Sequence, residues 1–511
     1  MFGALGLTSC DKYLDKLPDN RMELKTPEEV SKLLVSAYAT HNPAFLLEMY
    51  SDNTNEYDNT AWSGIRFQDQ AYNWQDITEV STYESPQSIW DAYYEAIRNA
   101  NEAISYIRKQ DDQSEYSSQL GEALLCRAYS EFVLSTVFCQ AYDSKTADKT
   151  LGLPYPEQPS NTLIENYERG TMADFYKKID ADLQEGLPLV TNTYDHPKFH
   201  FTKNAAYAFA ARFYLFYEKF DKAIEYADIV LGNDPTSKVR DWAAWNKLSA
   251  NDQIQPNAYV NSDNSCNLLL QVVYSFWGAY GGPYLIGNKY AHGRRLSQYE
   301  TLQAQGPWGA TATATGYTVF YNDALSKYIL RKVPVMFEYT DVSAGTGYPH
   351  SEYVVFSTDE TLLVRAEAYA LKGELNKSLE DVNAEMSAFM PHASALTLSG
   401  IESFYTSLDY YTPEYPTPRY ELHPNALTIS GDTQESLIDC ILQLRRLVTI
   451  HEGFRLQDVK RYGITMYRIR LDESNQVEAV TDQMNANDPR LAIQVPQDVI
   501  DAGLEANPRN K

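Results

Sequence analysis

Between residues 201 and 235 the chain reads FTKNAAYAFAARFYLFYEKFDKAIEYADIVLGNDP, and its apolar positions recur at helical spacing in two runs. Tyr207, Ala211 and Tyr214 mark the first run, Ala223 and Ala227 the second. Thr202 and Asp221 suit helix starts, because a short side-chain oxygen can accept from an unpaired N–H group. Phe220 falls at the turn between the runs and Pro235 after the second. Large rings set against small alanines let two helices approach closely. The expected unit is a helical hairpin of the tetratricopeptide type, whose aromatic, small, aromatic, small, proline order it shares. Residues 359–386 repeat the pattern without gaps. Leu362, Ala366, Tyr369 and Leu375 fall where Tyr207, Ala211, Tyr214 and Phe220 stand, and Ser378 and Val382 replace Ala223 and Ala227.

Other stretches read as single helices. In residues 26–38, Thr26 caps, Pro27 takes the first helical position, and Glu29 can close a capping box. Residues 87–109 carry one apolar stripe, Ile89, Tyr93, Ala96, Ala100, Ala103 and Ile107. Residues 119–142 are apolar on most sides, which predicts a central helix; residues 171–187 predict another. From 236 to about 353 helical periodicity fades, and strands are expected only at 268–274 and 353–356. The expected fold is therefore mostly α: tetratricopeptide-like hairpins, a long irregular loop-rich insertion and a few short strands. Its parts are a leader (1–25), an N-terminal helical part (26–235) and a C-terminal part (236–511) whose loop-rich region (236–358) faces ligand. The two larger parts are expected to form one compact unit.

Charge narrows the partners. The chain has 511 residues, 69 acidic against 43 basic, and a net charge of −26. Such a field repels phosphate backbones and argues against nucleic acid. Core packing accounts for most of the 40 tyrosines, 19 phenylalanines and 7 tryptophans, but so many rings leave some for a recognition surface. Cys126, Cys139, Cys266 and Cys440 lack metal or redox spacing and read as buried thiols. Cys10 differs: Leu7-Thr8-Ser9-Cys10 is a lipobox-like run, whose cysteine would carry lipid and whose full signal would begin upstream of Met1. No apolar run reaches the roughly 18–20 residues that span a bilayer.

Catalytic and metal signals are weak. Asp52, Glu56 and Asp58 offer oxygens at short spacing, but without the glycine and closing glutamate of a calcium loop they read as solvated. Glu452 with Arg455, and Asp458 with Arg461, are three apart and are expected to pair along one helix, locking it into the fold. There is no Gly-x-Ser-x-Gly and no His-Glu-x-x-His. Asn288 stands where a phosphate loop needs lysine, and Pro197 separates His196 from His200. No cofactor and no metal are called for.

Taken in order, several motifs resemble the SusD/RagB family of bacterial surface glycan-binding lipoproteins. They are the lipobox-like run, Cys10-Asp11-Lys12-Tyr13-Leu14-Asp15 ahead of the Thr26-Pro27-Glu28 helix, and Arg127-Ala128-Tyr129. Then come Thr202-Lys203-Asn204-Ala205-Ala206 with Arg212 and Tyr214, Arg365-Ala366-Glu367-Ala368-Tyr369, and Glu452-Gly453-x-Arg455-x-x-Asp458-x-x-Arg461. Leu444 and Val448 depart from the family, which often has glutamates there. The resemblance implies a non-enzymatic, lipid-anchored protein of the outer-membrane cell surface. It would dock over a TonB-dependent transporter of the SusC type and bind glycan at the opposite, loop-bearing surface.

A sugar ring has apolar C–H faces and a polar rim, which aromatic and hydrogen-bonding side chains match. The ligand candidates are Trp62, Arg66 and Trp74 in a polar stretch, Trp277, Tyr280 and Tyr284 among glycines, and Trp308 between Pro307 and Gly309. Trp242 and Trp245, three apart, read as core. Two other classes compete. A peptide-binding helical-repeat adaptor needs a continuous concave groove, which the long irregular insertion interrupts. A glycoside hydrolase needs two carboxylates about 5–10 Å apart, which the sequence does not single out.

Overall fold

The computed structural model describes residues 24–56, 65–159, 168–251, 253–275, 289–316, 320–322, 327–472, 474 and 476–509. Thr26 caps α1 (Pro27–Leu34) through the expected box: its hydroxyl accepts from the Glu29 N–H at 3.3 Å, and Glu29 accepts from the Thr26 N–H at 3.0 Å. Two short helices, α2 (Ala44–Tyr50) and α3 (Arg66–Tyr72), flank the two-residue strand β1 (Asn55–Glu56). The long helices α4 (Pro86–Ile107) and α5 (Ser117–Phe138) pack together, with α6 (Met172–Gly186) on α5. The α4 stripe is buried as its spacing requires, and α5 is buried on nearly every side.

The opening hairpin is α7 (Lys203–Phe216) and α8 (Phe220–Leu231). Thr202 caps α7, but Asp221 does not cap α8; it lies inside the first turn and pairs with Lys372 at 2.6 Å. The second copy is α13 (Thr358–Leu371) and α14 (Leu375–Phe389), and α13 packs on α8 and α7. Arg365 pins the stack: it forks onto Asp381 of α14 at 2.7 and 2.8 Å and reaches Asp228 of α8 at 2.7 Å. Arg212 of α7 holds Glu360 of α13 at 2.9 Å, and Arg127 of α5 forks onto Asp182 of α6 at 2.7 Å. The motif arginines are thus clamps between helices, which explains their place in the repeat.

The stretch 445–461 is two helices, not one. Helix α16 (Gly431–Val448), beside α15 (Leu398–Thr406), ends before a turn where His451 and Gly453 take φ of 71° and 80°; α17 (Arg455–Tyr462) follows. A side chain at Gly453 would meet Ala44 Cα at 2.8 Å, so only glycine lets the turn lie against α2. The turn breaks the expected Glu452–Arg455 pair, while Asp458 and Arg461, both on α17, keep a long one. Glu452 takes Lys332 at 2.8 Å, and Arg455 takes Asp52 at 2.7 Å. Asp458 takes Arg445 at 2.5 Å, leaving Arg461, 3.9 Å away, to Glu367 at 2.6 Å. Nor is the acidic segment around Asp52 a solvated loop: Asn53, Thr54 and Asn55 are buried. Burial would raise the Asp52 pKa, but Arg455 and Arg446 outweigh it and hold the carboxylate below its usual range. Glu56 pairs with Lys289 at 3.3 Å; Asp58 lies outside the described residues.

The middle region is more regular than its sequence predicts. It contains α9 (Trp242–Asn246), α10 (Ile254–Tyr259), α11 (Arg294–Tyr299) and α12 (Thr311–Thr315). A three-stranded antiparallel sheet has the order β2 (Asn267–Tyr274), β9 (Thr346–Ser357), β8 (Met336–Asp341). Among the described residues five short strands lie between: β3 (Tyr290–Ala291), β4 (Gln305–Gly306), β5 (Gly309–Ala310) and the β6–β7 pair (Phe320–Asn322, Lys327–Ile329). The hairpin β10 (Met466–Leu471) and β11 (Val477–Met484) and the short α18 (Gln497–Asp501) complete the fold. Trp242 and Trp245 are core, the four described cysteines are buried free thiols, and one hydrophobic cluster draws on both halves of the chain.

Candidate ligand-binding surface

Side chains alternate across a strand. Val272 pairs with Glu352 and Tyr274 with His350, so these four and Tyr348 share one face of the sheet. Val273, Ser351 and Tyr353 fill the opposite, buried face. The first face is open: Tyr274 is 37% exposed and Tyr348 46%. Their ring centroids are 5.7 Å apart, edge to face at 68°. Tyr83 joins at 5.6 Å from Tyr274, and His41 lies 5.8 Å from Tyr83 and 5.9 Å from Tyr274.

Backbone hydrogen bonds hold these rings in place. The Tyr274 N–H donates to Thr40 O at 2.9 Å. Gln271 donates to Ala39 O at 2.7 Å and accepts from Asn42 at 3.0 Å, fastening residues 39–42 along the edge of β2. Glu84 fastens the Tyr83 segment, accepting from Ser275 at 2.9 Å and from Thr82 at 2.6 Å. The cluster is therefore preorganised by three chain segments. Burial lowers the His41 pKa to about 4, so the ring is neutral at pH 7. Burial likewise pushes Glu352 up to about 7.

On the other face of the β8–β9 hairpin, Phe337 and Tyr339 stand 4.9 Å apart, both exposed. A side chain at Gly347 would meet Glu338 O at 1.9 Å and the Phe337 ring at 2.7 Å. Glycine there is what allows the ring to lie across the partner strand. Flat rings with polar tips, several held open together, can stack on a ligand with an apolar face.

The sequence-predicted residues divide. Trp62, Trp277, Tyr280 and Tyr284 lie outside the described residues; the last three follow Ser275 in the chain. Arg66 is exposed at the start of α3 and donates to Thr78 at 2.8 Å. Trp74 and Trp308 are not exposed platforms, being only 3% and 7% exposed. Trp74 walls in Arg468, whose guanidinium has no carboxylate in reach among the described residues. Arg468 instead donates to backbone carbonyls of residues 49, 50, 51, 54 and 72 and lies 4.3 Å over the Trp74 ring. Trp308 folds back onto its own turn: its indole donates to Thr311 at 2.9 Å, and its ring occupies the space that a side chain at Gly306 would need. Tyr83, Tyr274, Tyr348, Phe337 and Tyr339 were not singled out. The signal for Tyr274 was the alternation that begins at Val272, where an apolar run turns into every-second-residue exposure.

Among the described residues no group of three or more His, Cys, Asp and Glu is arranged to hold a metal ion. Among them also, no helix is long and apolar enough to cross a membrane.

A SusD-like family model, described as starch-binding and associating with the outer membrane, matches residues 12–215. No curated protein matches the chain in sequence. Among solved structures, a SusD superfamily protein from Bacteroides thetaiotaomicron aligns with a TM-score of 0.66 at 19% identity, covering 95% of this chain and 100% of that one. A second, from Bacteroides vulgatus, aligns at 0.62 and 18%, covering 96% and 100%. A structure described as a laminarin-binding SusD-like protein aligns at 0.55 and 16%, covering 95% and 100%. The chain thus carries a SusD-like signature over residues 12–215 and shares the fold of SusD superfamily structures along most of its length.

Proposed function

We propose that this protein is a non-catalytic cell-surface glycan-binding protein, held to the outer membrane by lipid on Cys10, that hands nutrient to a SusC-type TonB-dependent transporter. The observation that carries the reading is the open cluster of Tyr83, Tyr274 and Tyr348, fastened by backbone bonds on a SusD-like frame. Pyranose C–H faces stack on such rings, while Asn42 and the tyrosine hydroxyls serve the sugar rim. The family description, starch-binding and outer-membrane-associating, and the laminarin-binding relative support the same reading. Trp277, Tyr280 and Tyr284, next along the chain, and Trp62 are proposed as further contacts.

Calorimetry against a glycan panel, with analysis of the incubated polymer for shortened products, tests this. Binding without cleavage is expected. Tyr274→Ala should weaken it about tenfold, the effect of losing roughly 1–1.5 kcal/mol of ring stacking. Release of shorter saccharides would favour a hydrolase instead. The anchor has its own test: Cys10→Ala should move the protein out of the membrane fraction, and an unchanged fraction would remove the lipid.

A further inference from the structure

The surface around Tyr274 is built from segments without a single permanent positive charge. Residues 33–65, 67–97, 248–288 and 333–364 contain no Lys and no Arg, although the chain has 43 of them. These runs supply every ring of the cluster: His41, Tyr83, Tyr274 and Tyr348, with Phe337 and Tyr339 on the hairpin. The charges they do carry beside it are carboxylates. Glu338 and Asp341 are exposed on β8, and Glu84 lies under Ser275.

Described cations on neighbouring segments are turned to other work. Lys198 and Arg240 bind the Asn267 end of β2, seven residues and roughly 20 Å from Tyr274. Lys332, ahead of β8, is buried on Glu452 and Val448 O. Arg66 holds Thr78, and its charge helps keep the neighbouring Glu79 carboxylate low, after the Ser81 hydrogen bonds. Carboxylate and sulfate ligands are held by Arg forks or Lys points, which the described residues of this face do not offer.

Resting on the glycan reading above, we infer that this surface takes an uncharged glycan and rejects polymers bearing uronate or sulfate groups. Its ring faces supply the contact and its acidic flanks, within a protein of net charge −26, supply the exclusion.

Affinity electrophoresis of the full chain tests it. The gels carry laminarin, starch, xyloglucan or galactomannan in one set, and polygalacturonate or chondroitin sulfate in the other, at low and high salt. Retention by at least one neutral polymer is expected, undiminished by salt, with at least tenfold weaker retention by both polyanions. Retention by a polyanion as strong as by any neutral polymer, and weakened by salt, would overturn the inference while leaving the glycan reading standing. Retention by none of the six would overturn the glycan reading, and the inference with it.

Discussion

Two regions of this protein are rich in the residues that usually mark a site, and they behave in opposite ways. Where α13, α16 and α17 meet, charge is dense and spent internally. Arg445 forks onto Asp458 and also reaches Glu367 at 2.5 Å; Glu367 in turn receives Arg461 and the Tyr462 hydroxyl, each at 2.6 Å. Beside it, Arg446 binds Asn53, Glu300 and Tyr420, and Arg455 binds Asp52. At the open end of the β2–β9 sheet, charge is sparse and the rings face solvent. A cluster whose every group is matched from within is a fastening. A cluster with exposed rings, held in place by backbone bonds, is available to a ligand.

The largest effects should come from breaking the fastening. Glu367→Gln leaves two buried guanidiniums short of a charge, and should cost about 3–5 kcal/mol in chemical denaturation. Burial raises the Glu367 pKa, but Arg445 and then Arg461 outweigh it and depress it. The sign follows: a depressed carboxylate adds stability above its unfolded pKa and loses it as pH falls toward the folded value. Wild type should therefore destabilise on acidification more steeply than Glu367→Gln. A variant with unchanged stability would show that the lattice is not a fastening.

Next are the two kinds of aromatic residue. Trp74→Ala uncovers Arg468 and should cost about 3–5 kcal/mol of stability, read by thermal or denaturant unfolding. Tyr274→Ala removes a half-exposed ring, and should change stability by less than about 1 kcal/mol while lowering glycan affinity. If Trp74→Ala folded normally and lost binding, the division between the regions would be drawn in the wrong place.

The smallest effect concerns Glu352. Its folded pKa, raised to about 7 by burial, means the folded state holds a proton that the unfolded state releases between about pH 4.5 and 7. Its contribution favours folding at low pH, weakens as pH rises through that window and is level above it. Glu352→Gln removes this titration, so the variant should gain on wild type across the window by about 1 kcal/mol, after discounting for the partial exposure of the side chain. Parallel pH–stability curves would contradict the assignment.

The helical frame was largely legible because its signals are local. The repeat register of α7–α8 and α13–α14, the Thr26 box and the α4 stripe each follow from nearby residues. What was not legible depends on contacts far apart in sequence. The turn at Gly453 cannot be seen as a break until α2 lies against it, and Asp52 reads as solvated until Arg455, four hundred residues away, reaches it. Trp74 and Trp308 looked like free rings because polar neighbours and glycines accompany exposure as often as they accompany a buried cation or a folded-back turn. The Tyr83–Tyr274–Tyr348 cluster joins three segments that only strand pairing and the Glu84 contacts bring together, so no single window could show it.

The most direct measurement is titration of a bound neutral glycan into wild type and into Tyr274→Ala/Tyr348→Ala, with the recovered glycan sized afterwards. Wild type should bind and return the polymer at full length, and the double variant should keep the wild-type unfolding midpoint within a few degrees while binding at least tenfold more weakly. Equal affinity in the two proteins, or a shortened polymer after incubation with wild type, would contradict a passive frame that presents its rings to a polymer it leaves intact.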